Sequence, residues 1–199
     1  MTASPHAAVH LAQLNVATLL HPLDDPRVAP FVELLVPVNA AADAAPGFVW
    51  RLVEEGAPDA TALRPAGDNV IVNLSVWEDQ EALWDFAYRS GHLEVMRRRR
   101  EWFARHVEAH MVLWWVPAGH LPTVEEALER LADLRTNGPS TRAFTFASAH
   151  TADEAARQRG RARCPSPPER CPRETRPPRA YAPVPAAVPG PPGPLGPRA

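Results

Sequence analysis

"NVIVNLSVWED", residues 69–79, is the stretch that most limits what this chain can become. Its side chains alternate strictly. Val70, Val72, Leu74 and Val76 fall on one side of an extended strand, and Ile71, Asn73, Ser75 and Trp77 on the other. A wholly aliphatic face must be covered, and it suits packing against helices. The mixed face, with two polar groups and an indole, suits a partly wet cavity or a subunit interface.

The flanking segments build around that strand. "VHLAQLNVATL" (9–19) is a second strand, with Leu11, Gln13 and Asn15 on one face. A helix is expected from Asp25 as N-cap and Pro26 at the first helical position. Its buried stripe is Val28, Phe31, Leu35, Val38 and Ala42. Pro37 should kink or shorten it, and Pro46–Gly47 should end the element. "GFVWRLVEE" (47–55) reads as a strand and residues 79–106 as a helix starting at Asp79, broken or bent at Ser90–Gly91. "HMVLWWVPAG" (110–119) is a further strand. The next helix buries Leu128, Leu131 and Leu134 and stops at Asn137–Gly138, and "AFTFAS" (143–148) closes as a fifth strand. The order β-α-β-β-α-β, followed by α-β, predicts a ferredoxin-like α+β fold, an antiparallel sheet with helices on one face.

Charge divides the chain. Residues 1–150 carry 12 arginines against 19 acids, and residues 151–199 carry 9 against 4. An acidic body repels a phosphate backbone, so nucleic acid is not the expected partner. All 21 basic residues are arginine, which weakens arginine content as evidence for anion binding. Cys164 and Cys171 give neither a disulfide framework nor metal-ligand spacing. No apolar run is long enough to span a membrane and the start lacks a signal-peptide pattern, so a cytoplasmic location is expected. Residues 149–199 hold more than half of the 24 prolines and no apolar periodicity. They are expected to form a disordered tail, with residues 1–8 disordered as well and residues 9–148 as the folded domain.

Several long stretches carry a resemblance: "AQLNVATLLHPLDDPRVAPFVELL", "PGFVWRL", "VNLSVWED", "YRSGHLEVMRRRREWF", "VLWWVPAGHLPTVEEALERL" and "AFTF". Together they resemble the bacterial domain of unknown function 3291, within the dimeric α+β barrel superfamily. That resemblance implies a homodimer joined through the bare sheet face, which would cover Ile71, Trp77 and one of Trp114 and Trp115. Wider relatives are antibiotic-biosynthesis-type and haem-degrading monooxygenases. Against the haem-degrading pattern, Asn15 matches the strand asparagine, while Trp84 or Phe86 lies near the tryptophan and His92 near the histidine. Trp84 and His92 stand eight apart rather than ten, so a pocket is carried over and haem chemistry is not.

The expected site combines His92 and Tyr88 as proton-handling groups with Asn15, Asn73, Trp77, Trp84, Arg89 and Trp115 as ligand-binding residues. A lone histidine beside a bend is more often structural; its aromatic and amide company is what argues for function. Arg97 to Arg100 should fan around a continuous helix, with Glu94 and Glu101 as partners, and so form no single patch. Three functions fit. One is a cofactor-free monooxygenase acting on an aromatic or quinoid compound. Another is a non-catalytic small-molecule binding protein. The third is a haem-handling protein with His92 as axial ligand.

Overall fold

The computed structural model describes residues 8–89 and 92–163. Four strands, β1 (Val9–Thr18), β2 (Phe48–Arg51), β3 (Val70–Trp77) and β4 (Met111–Pro117), form one sheet in the order β2-β3-β1-β4, antiparallel at every junction. Helix α1 (Ala29–Asp43) joins β1 to β2. Helices α2 (Gln80–Arg89) and α3 (His92–Arg98), followed by a 3-10 turn at Arg99–Glu101, join β3 to β4. This is the ferredoxin-like α+β arrangement expected from the sequence. Two further helices follow, α4 (Val124–Asn137) and α5 (Ala152–Arg163).

The alternation of β3 sorts the core as the sequence predicts, but the helices distribute differently. On the aliphatic face, Ala12, Leu14, Val16, Val72, Leu74, Val76, Val112, Trp114 and Val116 pack against Ala127, Leu131 and Leu134 of α4. The mixed face is the one covered by α1, α2 and α3. There Ile71 packs with Phe31 and Trp102, while Trp77 packs with Ala42 and Leu83. Neither face is bare: Ile71, Trp77 and Trp114 are each less than a tenth exposed. The apolar argument for a homodimer through an open sheet face therefore loses its premise.

α4 is held by its first turn. Thr123 Oγ1 accepts from the Glu126 backbone N–H at 3.2 Å, capping the helix, while Glu126 Oε1 accepts from Trp114 Nε1 at 3.0 Å. The same carboxylate reaches His120 Nε2 at 2.7 Å through its other oxygen. One residue thus ties the helix to the strand beneath it. Gly138 ends α4 at φ 74°, the left-handed region where a side chain would strain.

Other expectations need correction. Asp25 does not cap α1; its carboxylate folds onto the backbone and guanidinium of Arg27, and the helix starts only at Ala29 after two turns. Pro37 does not stop α1, which runs on to Asp43 with the expected stripe buried or half-buried. The fifth strand reduces to a single bridge, in which Leu113 and Phe144 exchange two backbone hydrogen bonds at 2.8 and 2.9 Å. Turns at Ser140–Ala143 and Thr145–Ser148 leave no room for a longer ladder. The segment after residue 149 is ordered as far as α5, where Ala155 is buried and Thr151 Oγ1 accepts from the Glu154 N–H. Ser90–Gly91, residues 1–7 and the tail from 164 onward lie outside the described residues.

Leu131 sits at the centre of the α4 contact. Leu131→Ala should therefore cost about 2–5 kcal/mol, a cavity-forming loss that a urea midpoint would register.

Candidate functional site

The mixed face of the sheet is not uniformly apolar. One cluster of Leu19, Val28, Phe31, Ile71 and Trp102 covers one end, and another of Leu11, Ala42, Trp77, Leu83, Leu113 and Phe144 covers the other. Between them lies a polar belt made of two cross-strand pairs, Gln13 opposite Ser75 and Asn15 opposite Asn73. Strand register alone creates it, because residues directly opposite share a face.

Part of the belt is internally satisfied. Trp77 Nε1 donates to Ser75 Oγ at 3.0 Å, and Ser75 Oγ donates to Gln13 Oε1 at 2.9 Å, with both Ser75 and Gln13 buried. The other pair differs. Asn73 is exposed although its same-face neighbours Ile71 and Ser75 are buried, so the helical cover is open above it. Opposite, Asn15 Oδ1 is shielded from solvent and accepts no hydrogen bond. A buried amide oxygen without a donor costs about 1–3 kcal/mol, and here it lies beside an opening.

A column of rings rises from the satisfied end of the belt. Trp77 stacks on Phe86 (centroids 5.2 Å, planes 27° apart), and Phe86 stacks on His92 (5.0 Å, 25°). His92 Nδ1 lies 3.3 Å from the Ala87 carbonyl oxygen. Burial pushes the His92 imidazole below its ordinary value, partly opposed by that contact, so the ring is neutral at pH 7. A neutral imidazole beside stacked rings can accept a proton from an aromatic hydroxyl or an acidified ring carbon.

The remaining expected residues divide among other places. Tyr88 and Trp84 pack together at 4.3 Å, each also against Phe146, in a second ring cluster where Trp84 is well exposed. Arg89 pairs with Asp85 at 2.9 Å, and both line an acidic surface groove with Glu78, Asp79 and Glu81. Of the adjacent tryptophans, Trp114 points into the α4 side, while Trp115 lies on the mixed face and donates from Nε1 to the His150 carbonyl at 2.7 Å. Gln13 and Ser75 were not singled out from the sequence, and Phe86 was named only as an alternative to Trp84. Alternation placed the first two on the right face, but only the register shows them opposite one another. Among the described residues, no three His, Cys, Asp or Glu side chains gather as a metal site.

The chain belongs to the family described as Domain of unknown function (DUF3291), which matches residues 10–160. Among curated proteins, none matches the sequence. Solved structures with a related fold include SnoaB, a cofactor-independent oxygenase from Streptomyces nogalater, at 19% identity and TM-score 0.39, covering 57% of this chain and 97% of that one. NE2512, a protein of unknown function from Nitrosomonas europaea, has 12% identity and TM-score 0.38, covering 59% and 98%. A monooxygenase from the gene ActVA-Orf6 of Streptomyces coelicolor, in complex with nanaomycin D, has 14% identity and TM-score 0.35, covering 58% and 95%.

Two outcomes follow from this geometry. Asn15→Leu removes the undonated oxygen and should raise stability by about 1 kcal/mol in urea unfolding. His92 has a folded-state pKa below its unfolded value of 6.5, so its neutral form contributes stability that is full above that value. That contribution is lost as pH falls through the folded-state value. The difference in unfolding free energy between wild type and His92→Phe should therefore shift against the wild type below about pH 6.5, and a pH-independent difference would refute it.

Proposed function

We propose that this DUF3291 member binds a planar aromatic small molecule over the Asn15–Asn73 pair and oxygenates it without a cofactor, with His92 as the base. The observation that carries the reading is the buried, undonated Asn15 Oδ1 beside exposed Asn73. An amide pair without internal partners supports a ligand that supplies a hydroxyl or N–H donor and an acceptor in return. The column Trp77–Phe86–His92 leads from the buried end of the belt to a neutral base.

The chemistry asked of these residues is small. Nδ1 of His92 donates to the Ala87 carbonyl, so Nε2 takes a proton from a phenolic hydroxyl or an acidified ring CH2, leaving an electron-rich anion. That anion passes one electron to O2, and the two radicals combine into a hydroperoxide at the ring carbon. Breaking the O–O bond leaves one oxygen as a ring carbonyl and releases the other as water. The substrate CH2 supplies all four electrons, so no external reductant enters. The protein's share is to hold the ring, remove the proton and keep the anion away from bulk water.

The test uses 1,8-dihydroxyanthrone, whose ring CH2 is acidified by the adjoining carbonyl. The wild type should bind it anaerobically, quenching tryptophan fluorescence, and consume O2 with quinone appearing in equal amount when air is admitted. His92→Ala should lower kcat/KM about a hundredfold or more while retaining the fold. Asn15→Leu should raise KM. Binding without any O2 uptake would reduce the protein to a carrier, and a fully active His92→Ala would remove histidine as the base.

A further inference from the structure

On its β3 side β1 is paired to its last residue, Thr18 opposite Val70, but on its β4 side the pairing stops at Asn15 opposite Met111. The backbone left over on that side is met by the segment between the 3-10 turn and β4. Val16 N–H donates to the His110 carbonyl at 2.8 Å, and Ala104 N–H donates to the Thr18 carbonyl at 2.8 Å. Residues 104–110 therefore form a strap across the end of β1. One of its bonds is of another kind: Thr18 N–H donates to Nε2 of His106 at 3.4 Å. A ring nitrogen stands where a neighbouring strand would put a carbonyl. A carbonyl accepts at any pH near neutral, whereas an imidazole accepts only while one of its nitrogens is bare.

A second imidazole lies against the first. His106 and His110 stack with centroids 5.1 Å apart and planes 15° from parallel, so two protonated rings would repel. Burial holds the His110 imidazole below its ordinary value, and the charges of His106, of Arg99 from the 3-10 turn and of Arg135 from α4 act in the same direction. On the strap itself Arg105 adds a cation, and the Glu108 carboxylate is engaged with Arg135 at 3.5 Å. β1 offers the pair a backbone amide and no charge. With a folded-state value below the unfolded 6.5, neutral His110 contributes stability that is full above that value and lost as pH falls through the folded one.

We propose that residues 104–110 are an acid-released strap: neutral His106 latches it to the Thr18 amide, and proton uptake by the His106–His110 pair unlatches it. The moving part is short. Ala104 and His110 stay bonded to β1 through backbone groups, and Arg135 Nε donates to the Ala109 carbonyl at 2.8 Å, so release is confined to residues 105–108. Val107, at the crest, is wholly exposed and carries no packing that would resist the movement. Local opening of this kind frees one strand amide while the rest of the sheet stays paired.

The test is backbone amide exchange followed by NMR on the full-length chain, expressed as protection so that the intrinsic effect of pH cancels. Protection of Thr18 should fall roughly five- to tenfold between about pH 8 and pH 5, the range in which imidazoles titrate. Val16, whose acceptor is a backbone carbonyl, should keep its protection over the same range. His106→Gln supplies an acceptor oxygen that does not titrate, so Thr18 should stay protected throughout. His106→Phe keeps a ring for the stack but no acceptor, and should leave Thr18 poorly protected at every pH. Wild-type protection of Thr18 that ignores pH would overturn the proposal, and so would an acid loss that persists in His106→Gln. Parallel loss at Val16 would overturn it too, because the sheet would then be loosening as a whole. Should His106→Phe fail to fold, the comparison of wild type with His106→Gln decides alone.

Discussion

β1 lies between β3 and β4, with Leu11 opposite both Trp77 and Trp115 and Asn15 opposite both Asn73 and Met111. These two registers decide which side chain meets which, and therefore where the apolar clusters end and the polar belt begins. A slip of one residue would send Leu14 and Val16 towards α1–α3 and put Asn15 under α4. The aliphatic face forbids such a slip, because α4 meets it with Ala127, Leu131 and Leu134, none of which can partner an amide. The better-packed face thus holds the other in register.

The polar belt is a local concession within an otherwise apolar interior. Gln13, Ser75 and the Trp77 indole form a closed chain of donors and acceptors, which rigidifies the sheet at little net cost. One pair further along, the same face leaves an oxygen without a donor and an amide in the open. A sequence selected only for stability would place valine or leucine at both positions, as the opposite face does. The contrast between adjacent pairs on the same two strands is what makes the belt a candidate site rather than a tolerated irregularity.

Much of this fold could be read from the chain. The strict alternation at 70–77 gave the strand and the contents of its two faces, and the spacing of Val28, Phe31, Leu35, Val38 and Ala42 gave α1 its buried stripe. Helix starts were less legible, because Asp25 can satisfy either a helix or a turn and Arg27 decides in favour of the turn. Which helix covers which face depends on connections through space, so α4 lies on the aliphatic face as expected while α1, α2 and α3 cover the mixed one. The site was legible as a set of residue types and not as a constellation. Asn15 and Asn73 do face each other, whereas His92 joins the face through Phe86, and Tyr88 stands in a different ring cluster. The arginine run reads as one continuous helix, whereas α3 ends at Arg98 and a 3-10 turn follows at Arg99–Glu101.

The sheet's two outer strands finish differently from its centre. β2 is only four residues long, its pairing with β3 shifts register between Phe48 and Trp50, and Arg51 at its end is tied to Asp43. β4 has part of its outer backbone already occupied by Phe144. A strand from another molecule seeking a continuous row of free amides and carbonyls would find a short, bulged and charged edge on one side and an interrupted one on the other. The single bridge that replaced a full fifth strand is enough to close that template. A chain with this much valine and tryptophan in its sheet is in this way protected, once folded, from growing into fibrils edge to edge.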